Sequence, residues 1–293
     1  MLILLQVHPP ESSHQRKQTI NGRQEPVRCQ ARRRVSLPCT IGMHRETYTN
    51  TYTVLSTLPD QPELNSTSPL PFMHMVERLK TTKREGWRRF GINHGESIAD
   101  HMYRMSIITL LCPPSLASRL DVAKCTKMAL IHDMAESLVG DITPVDGVTK
   151  SEKSRREAST MDYLCTGLLG NVNSGIQGKQ IREVWQEYED GETMESKFVH
   201  DVDKMELLLQ MMDYERSYQG GIDLGEFSHV AARIILPEVQ VWAKELISER
   251  VAFWEKQGRD ARGVSQSDDL KRQLDEYYGG TIDGTANGAN GTT

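Results

Sequence analysis

The sequence has few cysteines, no long apolar run and no excess of basic residues, and each absence argues against a class of protein. Its five cysteines are odd in number and none lies in a C-x-x-C pair, so neither a disulfide framework nor a zinc ribbon is expected. No apolar run approaches the roughly 18 residues that a membrane span needs. The net charge of −5 argues against a nucleic-acid-binding surface. We therefore expect a protein of a reducing compartment that binds neither membrane nor nucleic acid.

The two ends of the chain differ in composition from its middle. Residues 1–70 are rich in Arg, Ser, Thr and Pro without sustained periodicity, which predicts a disordered extension. The Arg-rich, acid-poor first half of that segment also fits a transit peptide, so mitochondrial targeting is the alternative to a cytoplasmic or nuclear location. Residues 259–293 end in GGTIDGTANGANGTT, which predicts a flexible tail.

Helical periodicity runs through the middle of the chain and predicts an all-α fold, a helical bundle over residues 71–258. Ser97 and Asp100 have the spacing of a helix N-terminus. A second helix is predicted from Asp121 to Gly140, and four more follow toward the C-terminus, one of them over residues 194–217. No alternation typical of a β-strand has useful length.

The segment MALIHDMAESLVGD raises a question, because polar residues lie on the apolar face of its predicted helix. His132 and Glu136 share that face with Met128, and His101 lies on the apolar face of the preceding helix. Buried polar groups cost about 1–3 kcal/mol each unless they are paired or bound to a metal. Either histidine alone would be a hydrogen-bonded core residue, but together they indicate a metal site.

Acidic residues on a third helix would complete such a site. Asp201, Asp203 and Glu206 fall on or beside its buried face, and periodicity alone does not choose between Asp201 and Asp203 as the ligand. Imidazole and carboxylate ligands together favour a first-row ion, Mn, Fe, Co or Zn, over Mg or Ca. One such divalent ion would compensate several buried polar groups at once.

Five blocks of sequence resemble one family in their order along the chain. They span about residues 73–220 and are RLKTTKREGW, ESIADHMYRM, LIHDMAESLVGDITP, KSEKSRREAS and KFVHDVDKMELLLQMMDYER. The order H…HD…D resembles the HD superfamily of metal-dependent phosphohydrolases, and the five blocks resemble its 5′-deoxynucleotidases. The resemblance implies a phosphoric monoester hydrolase that cleaves deoxyribonucleoside 5′-monophosphates, uses one divalent transition metal and forms a homodimer.

The same resemblance assigns roles to individual residues. The implied metal ligands are His101, His132, Asp133 and Asp203. The implied catalytic residues are Glu136, which handles the proton of water or of the leaving 5′ oxygen, and Arg84, which binds the phosphate. Substrate binding is implied for Trp87, which would stack on the nucleoside or crowd the 2′ position of the sugar, and for Asp141 at a sugar hydroxyl.

Two alternative functions stay open from the sequence. A phosphodiesterase or a nucleoside triphosphohydrolase on the same scaffold is the first, although a longer phosphate chain needs more basic residues than Arg84 supplies. A non-catalytic helical module with a structural metal is the second, although such a site has no use for Glu136 or Arg84.

Alternative roles also stay open for single residues. Glu136 would only orient His132 if it were a carboxylate outside the ligand set. Asp141 lies just past a predicted helix end and would serve there as a cap or turn residue. The charge run that contains Lys153 and Arg156 is predicted to be a solvated helix face, with attraction of the substrate anion as the alternative.

Overall fold

The computed structural model describes residues 60–261 together with Leu55 and Leu58. Most of the predicted N-terminal extension and nearly all of the predicted tail lie outside these residues, so both stay predictions. In the described part of the chain the secondary structure is helical, and β pairing is confined to an isolated bridge between Lys83 and Ser97. The prediction of an all-α fold is confirmed.

The described helices vary from one turn to more than six turns in length. They are α1 (Leu70–Val76), α2 (Glu85–Arg88), α3 (Ile98–Leu110), α4 (Pro114–Ala117), α5 (Val122–Ala129), α6 (Glu136–Val139), α7 (Lys150–Asp162), α8 (Ile176–Asp190), α9 (Met194–Ser217) and α10 (Pro237–Lys256). Short 3₁₀ or π turns lie at Glu77–Lys80, Tyr163–Leu168, Val172–Gly175 and Gly225–Arg233. None of these described helices has the combination of length and apolarity that crossing a bilayer requires.

Side chains that accept hydrogen bonds from backbone N–H groups begin the helices that carry the site. Ser97 Oγ accepts from the N–H of Asp100 while the Asp100 carboxylate accepts from the N–H of Ser97, the reciprocal pair predicted from the sequence. Asp121 begins α5 by a similar contact, and Thr193 begins α9. Each such cap is worth about 1 kcal/mol, so together they help to fix which residues face inward.

The helix predicted over residues 121–140 is broken in the structure. Helix α5 ends at Ala129, and a tight turn over residues 130–135 separates it from α6. His132 Nδ1 contacts the Ala129 carbonyl at 3.0 Å, the oxygen that a continued α-helix would offer to the N–H of Asp133. Several backbone bonds in the turn span three residues instead of four. The prediction of one continuous helix was wrong because a side chain takes the place of a backbone donor.

Helix α9 packs against α3, α5, α8 and α10 and lies at the centre of the bundle. Two clusters of buried apolar side chains make the core, one around Phe198 and the other around Trp185. Helix α3 contributes Met105 to the first cluster and Ile98 to the second. The fully buried His101 lies between these two positions on the helix.

A buried ion pair joins the end of α9 to α10. Arg250 donates from Nε and Nη2 to the two carboxylate oxygens of Glu215, at 2.9 and 2.8 Å. Trp254 Nε1 and the N–H of Leu224 donate to the same carboxylate, at 2.9 and 2.8 Å. Both charged residues are at most 3% exposed. Removal of the Glu215 carboxylate should destabilise the fold strongly, because the charged Arg250 would stay buried.

We expect Glu215→Ala to lower the free energy of unfolding by about 3–5 kcal/mol, because the buried Arg250 would lose the carboxylate that two of its N–H groups contact. The neighbouring pair Arg216 and Glu249 supplies the control, since both side chains are about half exposed. Glu249→Ala should therefore change that free energy by less than about 1 kcal/mol. Urea denaturation measures both variants, and equal losses would contradict the assignment.

Candidate active site

Side chains from three parts of the chain converge in the interior. His101 comes from α3, His132 and Asp133 from the turn after α5, and Asp203 from α9. His101 Nε2 lies 3.2 Å from Asp203 Oδ1 and 3.7 Å from Asp133 Oδ2. His132 Nε2 lies 3.1 Å from the same Asp133 oxygen. The structure thus places His101, His132 and Asp133 within reach of one ion, and Asp203 beside His101.

Each imidazole ring directs its Nε2 toward this cluster. His101 Nδ1 lies 2.5 Å from Glu206 Oε2, and His132 Nδ1 lies 3.0 Å from the Ala129 carbonyl. Because each Nδ1 faces an acceptor, a neutral ring would carry its proton there and leave a lone pair on Nε2. Both Nε2 atoms are buried and have no hydrogen-bond partner in the described part of the chain. Two such nitrogens beside two carboxylates fit a divalent transition ion.

The structure separates Asp201 from Asp203, a choice that periodicity leaves open. Asp201 is fully buried and accepts hydrogen bonds of 2.7 to 3.1 Å from the N–H groups of Ile235 and Leu236, just ahead of α10. Asp203 instead faces His101. The geometry therefore favours Asp203 as the ligand and assigns Asp201 to the junction between α9 and α10.

A cavity of about 290 Å³ opens beside the cluster. Its lining includes three of the candidate ligands and all four residues with predicted catalytic or substrate-binding roles, which are Arg84, Trp87, Glu136 and Asp141. Glu136 is buried, and its Oε2 has no hydrogen-bond partner among residues 60–261. Arg84 Nη1 lies 3.5 Å from Asp133 Oδ2. One cavity therefore holds a buried acid, a guanidinium and the donor set.

Burial and nearby charges shift the pKa values of the acid and the guanidinium. Burial, together with the carboxylates of Asp133 and Asp141, raises the pKa of Glu136 well above its usual range. Burial lowers the pKa of Arg84, but the carboxylates of Asp141, Asp133 and Asp203 outweigh that effect and raise it above its usual value. A carboxyl group that keeps its proton near neutral pH is suited to act as a general acid.

Trp87 lines the cavity but is largely enclosed by its neighbours. The residue is 1% exposed, and its indole N–H donates to Glu96 Oε1 at 2.8 Å. Its ring packs against Phe227 and Tyr214, with centroid separations of 4.7 and 5.3 Å. A nucleoside would reach only the small part of the ring that faces the cavity, so the stacking role stays a prediction.

Asp141 connects the loop after α6 to the segment that carries Arg84. Gly140 ends α6 with a φ of 79°, a conformation that favours glycine, and so turns the chain into the cavity. Asp141 Oδ2 then accepts a hydrogen bond of 2.7 Å from the N–H of Glu85. A sugar hydroxyl would have to use the remaining lone pairs of this carboxylate.

The family of the chain follows from a comparison with known proteins. The family model described as "HD domain" matches residues 76–242, more than half of the chain. The chain belongs to the HD domain family. The helical fold and the HD dipeptide at His132 and Asp133 agree with that membership.

Curated proteins and solved structures are similar over the same HD domain. The 5′-deoxynucleotidase hdd1 of Schizosaccharomyces pombe is 45% identical over 190 residues, which are 64% of this chain and 93% of that protein. The human 5′-deoxynucleotidase HDDC2 is 35% identical over 184 residues, 62% of this chain and 86% of its own. The solved structure of HD domain-containing protein YGK1 has 32% identity and a TM-score of 0.51, and the match covers 70% of this chain and 94% of that one.

Two residues beside the centre of this HD domain make contacts that the sequence does not predict. Glu206 contacts His101 Nδ1 and accepts a hydrogen bond of 2.7 Å from Arg104 Nε. Tyr188 lines the cavity, with its ring centroid 4.9 Å from that of His132. Periodicity places Glu206 on or beside a buried face, but no sequence signal pairs it with a histidine 105 positions away.

We expect Glu206→Gln to weaken the binding of Mn²⁺ or Co²⁺ by about 10–100-fold, because the amide orients the His101 ring less firmly and makes Nε2 less basic. Calorimetric titration of the metal-stripped protein measures this affinity. Asp213→Asn is the matched control, since Asp213 contacts the far side of Arg104 and its side chain is 52% exposed. Equal affinities for Glu206→Gln and the wild type would contradict the role of Glu206.

Proposed function

We propose that this chain is a metal-dependent 5′-deoxynucleotidase, which hydrolyses deoxyribonucleoside 5′-monophosphates to deoxynucleoside and phosphate. The observation that carries the proposal is that a His and Asp donor set lies beside the cavity that holds Glu136 and Arg84. Relatives from two yeasts and from human, 35–45% identical to this chain, are each named 5′-deoxynucleotidase and support the substrate class.

Phosphate monoesters hydrolyse very slowly without a catalyst, so the site must supply charge neutralisation and an activated nucleophile. His101, His132, Asp133 and Asp203 are the residues that would hold the ion. When bound, a divalent ion supplies Lewis acidity, which lowers the pKa of water and offsets the charge on the phosphate. We propose Mn, Co, Zn or Fe, because imidazole and carboxylate ligands suit these ions.

Arg84 is placed to bind the phosphate beside the donor set. Its planar guanidinium can donate two parallel hydrogen bonds to two phosphate oxygens. Because Nη1 lies 3.5 Å from Asp133, a phosphate bound there would adjoin the ligand cluster. We expect Asp141 to contact a sugar hydroxyl and Trp87 to limit the space around the nucleoside.

Glu136 would move the proton that the reaction transfers. Water attacks phosphorus, the bond from phosphorus to the 5′ oxygen breaks, and the leaving oxygen needs a proton. The buried carboxyl of Glu136 gives that proton to the 5′ oxygen, and the proton lost by the attacking water restores it. The transfer balances, with deoxynucleoside and phosphate as the products.

Three broader expectations follow from the resemblance and from the composition of the chain. We propose that the protein forms a homodimer, and that it acts in the cytoplasm or nucleus on the deoxynucleotide pool. We further propose that residues 71–258 form the HD domain, with the segments on either side outside the catalytic unit.

The test is phosphate release from dAMP, dGMP, dCMP and dTMP, with AMP and dATP as comparisons. Metal-stripped protein is assayed alone and after addition of Mn²⁺, Co²⁺, Zn²⁺ or Mg²⁺. We expect metal-dependent release from the deoxymonophosphates, weak release from AMP and none from dATP. No release with any metal would contradict the proposal, and hydrolysis of dATP would favour a triphosphohydrolase instead.

A further inference from the structure

A lysine from α7 lines the cavity, although its sequence context predicts a solvated helix face. Lys153 Nζ lies 4.0 Å from Glu136 Oε1 and 3.5 Å from Glu157 Oε1, and its side chain is 24% exposed. Arg156 of the same charge run pairs instead with Glu152. Lys153 therefore differs from its neighbour in facing the acid at the centre of the site.

Four lysine and arginine side chains line this cavity, together with a larger number of carboxylates. Two of them have partners outside the reaction centre. Arg89 pairs with Glu226 at 2.8 Å, and Lys204 donates to the His200 carbonyl at 2.8 Å. Arg84 and Lys153 are the other two, and each lies beside a carboxylate of the reaction centre. A dianionic ligand in a cavity rich in carboxylates needs cations of this kind.

We propose that Lys153 is a second phosphate-binding cation, which contacts the substrate on the side of Glu136. An oxygen beside the line that joins two atoms 4.0 Å apart can lie within hydrogen-bond distance of both. The ammonium of Lys153 and the carboxyl of Glu136 therefore reach the same phosphoryl or ester oxygen. The ammonium offsets the negative charge that grows on that oxygen as its bond to phosphorus breaks.

Glu157 positions Lys153 without cancelling its charge at neutral pH. The two residues are four positions apart on α7, a spacing that makes their side chains neighbours. Burial raises the pKa of Glu157 to about 7 despite the opposing charge of Lys153. A substantial fraction of Glu157 therefore carries a proton near pH 7, and in that fraction Glu157 does not offset the ammonium charge.

The test measures the binding of inorganic phosphate to Mn²⁺-loaded protein by calorimetry, together with inhibition by deoxyadenosine. We expect Lys153→Met to weaken phosphate binding by about 10–100-fold and to leave deoxyadenosine inhibition unchanged. Lys153→Arg should retain most of the phosphate affinity. Arg156→Met is the matched control from the same helix and should bind phosphate like the wild type.

A double variant guards against misfolding, because Lys153→Met leaves the mostly buried Glu157 without its lysine. Lys153→Met combined with Glu157→Gln removes both charges and should show the same loss of phosphate affinity. Wild-type phosphate affinity in either methionine variant would overturn the proposal. An equal loss of phosphate and deoxyadenosine binding would also overturn it, because that result indicates a structural role.

The inference rests on the proposed function for the identity of the substrate, and the two can fail separately. Phosphate binding does not require hydrolysis. Loss of phosphate affinity in Lys153→Met, in a protein whose wild type hydrolyses no deoxymonophosphate, would support the lysine site and contradict the nucleotidase. Hydrolysis by the wild type, with unchanged phosphate affinity in Lys153→Met, would do the reverse.

Discussion

Glu136→Gln is expected to slow phosphate release from deoxyribonucleoside monophosphates by about 10²–10⁴-fold, the usual contribution of a general acid or base. The amide has nearly the size of the carboxyl group, so the cavity keeps its shape. It cannot give up a proton to the leaving 5′ oxygen. The measurement is kcat at saturating dAMP, with metal content determined on the same protein.

The control for this variant is another glutamate of the same cavity. Glu226 pairs with Arg89, so Glu226→Gln should change kcat by only a few-fold. Wild-type kcat in Glu136→Gln would contradict its catalytic role and favour a structural metal module. Loss of metal together with activity would instead indicate that Glu136 acts by orienting His132.

Asp203→Asn is expected to remove both the metal and the activity. A carboxylate that contacts the ion directly should contribute more to metal affinity than the residues that surround the ligands. The loss of such a surrounding residue lowers metal affinity by about 10–100-fold. Asp201→Asn is the matched control on the same helix. It should keep metal and activity while lowering stability by about 1 kcal/mol, since its carboxylate accepts the N–H groups of Ile235 and Leu236.

Metal content after dialysis, kcat and urea denaturation separate these two variants. We expect Asp203→Asn to lose the metal and Asp201→Asn to lose stability. The opposite pattern, in which Asp201→Asn lost the metal and Asp203→Asn kept it, would show that the ligand on α9 is misassigned.

Local signals in the sequence suffice to predict much of the fold. Ser97 and Asp100 indicate in the sequence where α3 begins, because the capping pair involves residues three positions apart. The segment 194–217, predicted as one helix, is α9 with the same bounds. Such features depend on neighbouring residues, which the sequence lists in order.

The break after α5 and the partner of His101 could not be predicted in this way. In the first case the His132 ring contacts the Ala129 carbonyl in place of a backbone N–H. Hydrophobic periodicity does not predict a contact of this kind. In the second case Glu206 meets His101 across two helices. That contact depends on how α3 and α9 pack, which a single sequence leaves undetermined.

The place of Lys153 shows a similar limit. Lys153 and Arg156 are three residues apart, so a helical pattern assigns them to the same side of α7. One lines the cavity while the other pairs with Glu152. The difference depends on where Glu136 lies relative to α7, and therefore on tertiary structure. The charge run alone predicts only a solvated face.

The most direct test of the account follows phosphate release from dAMP while metal-stripped protein is titrated with Mn²⁺ or Co²⁺. Bound metal and rate are measured on the same samples. We predict no release from the stripped protein, and a rate that rises in proportion to bound metal and levels off at one ion per chain. Full activity without metal, or no release at one bound ion per chain, would contradict the account.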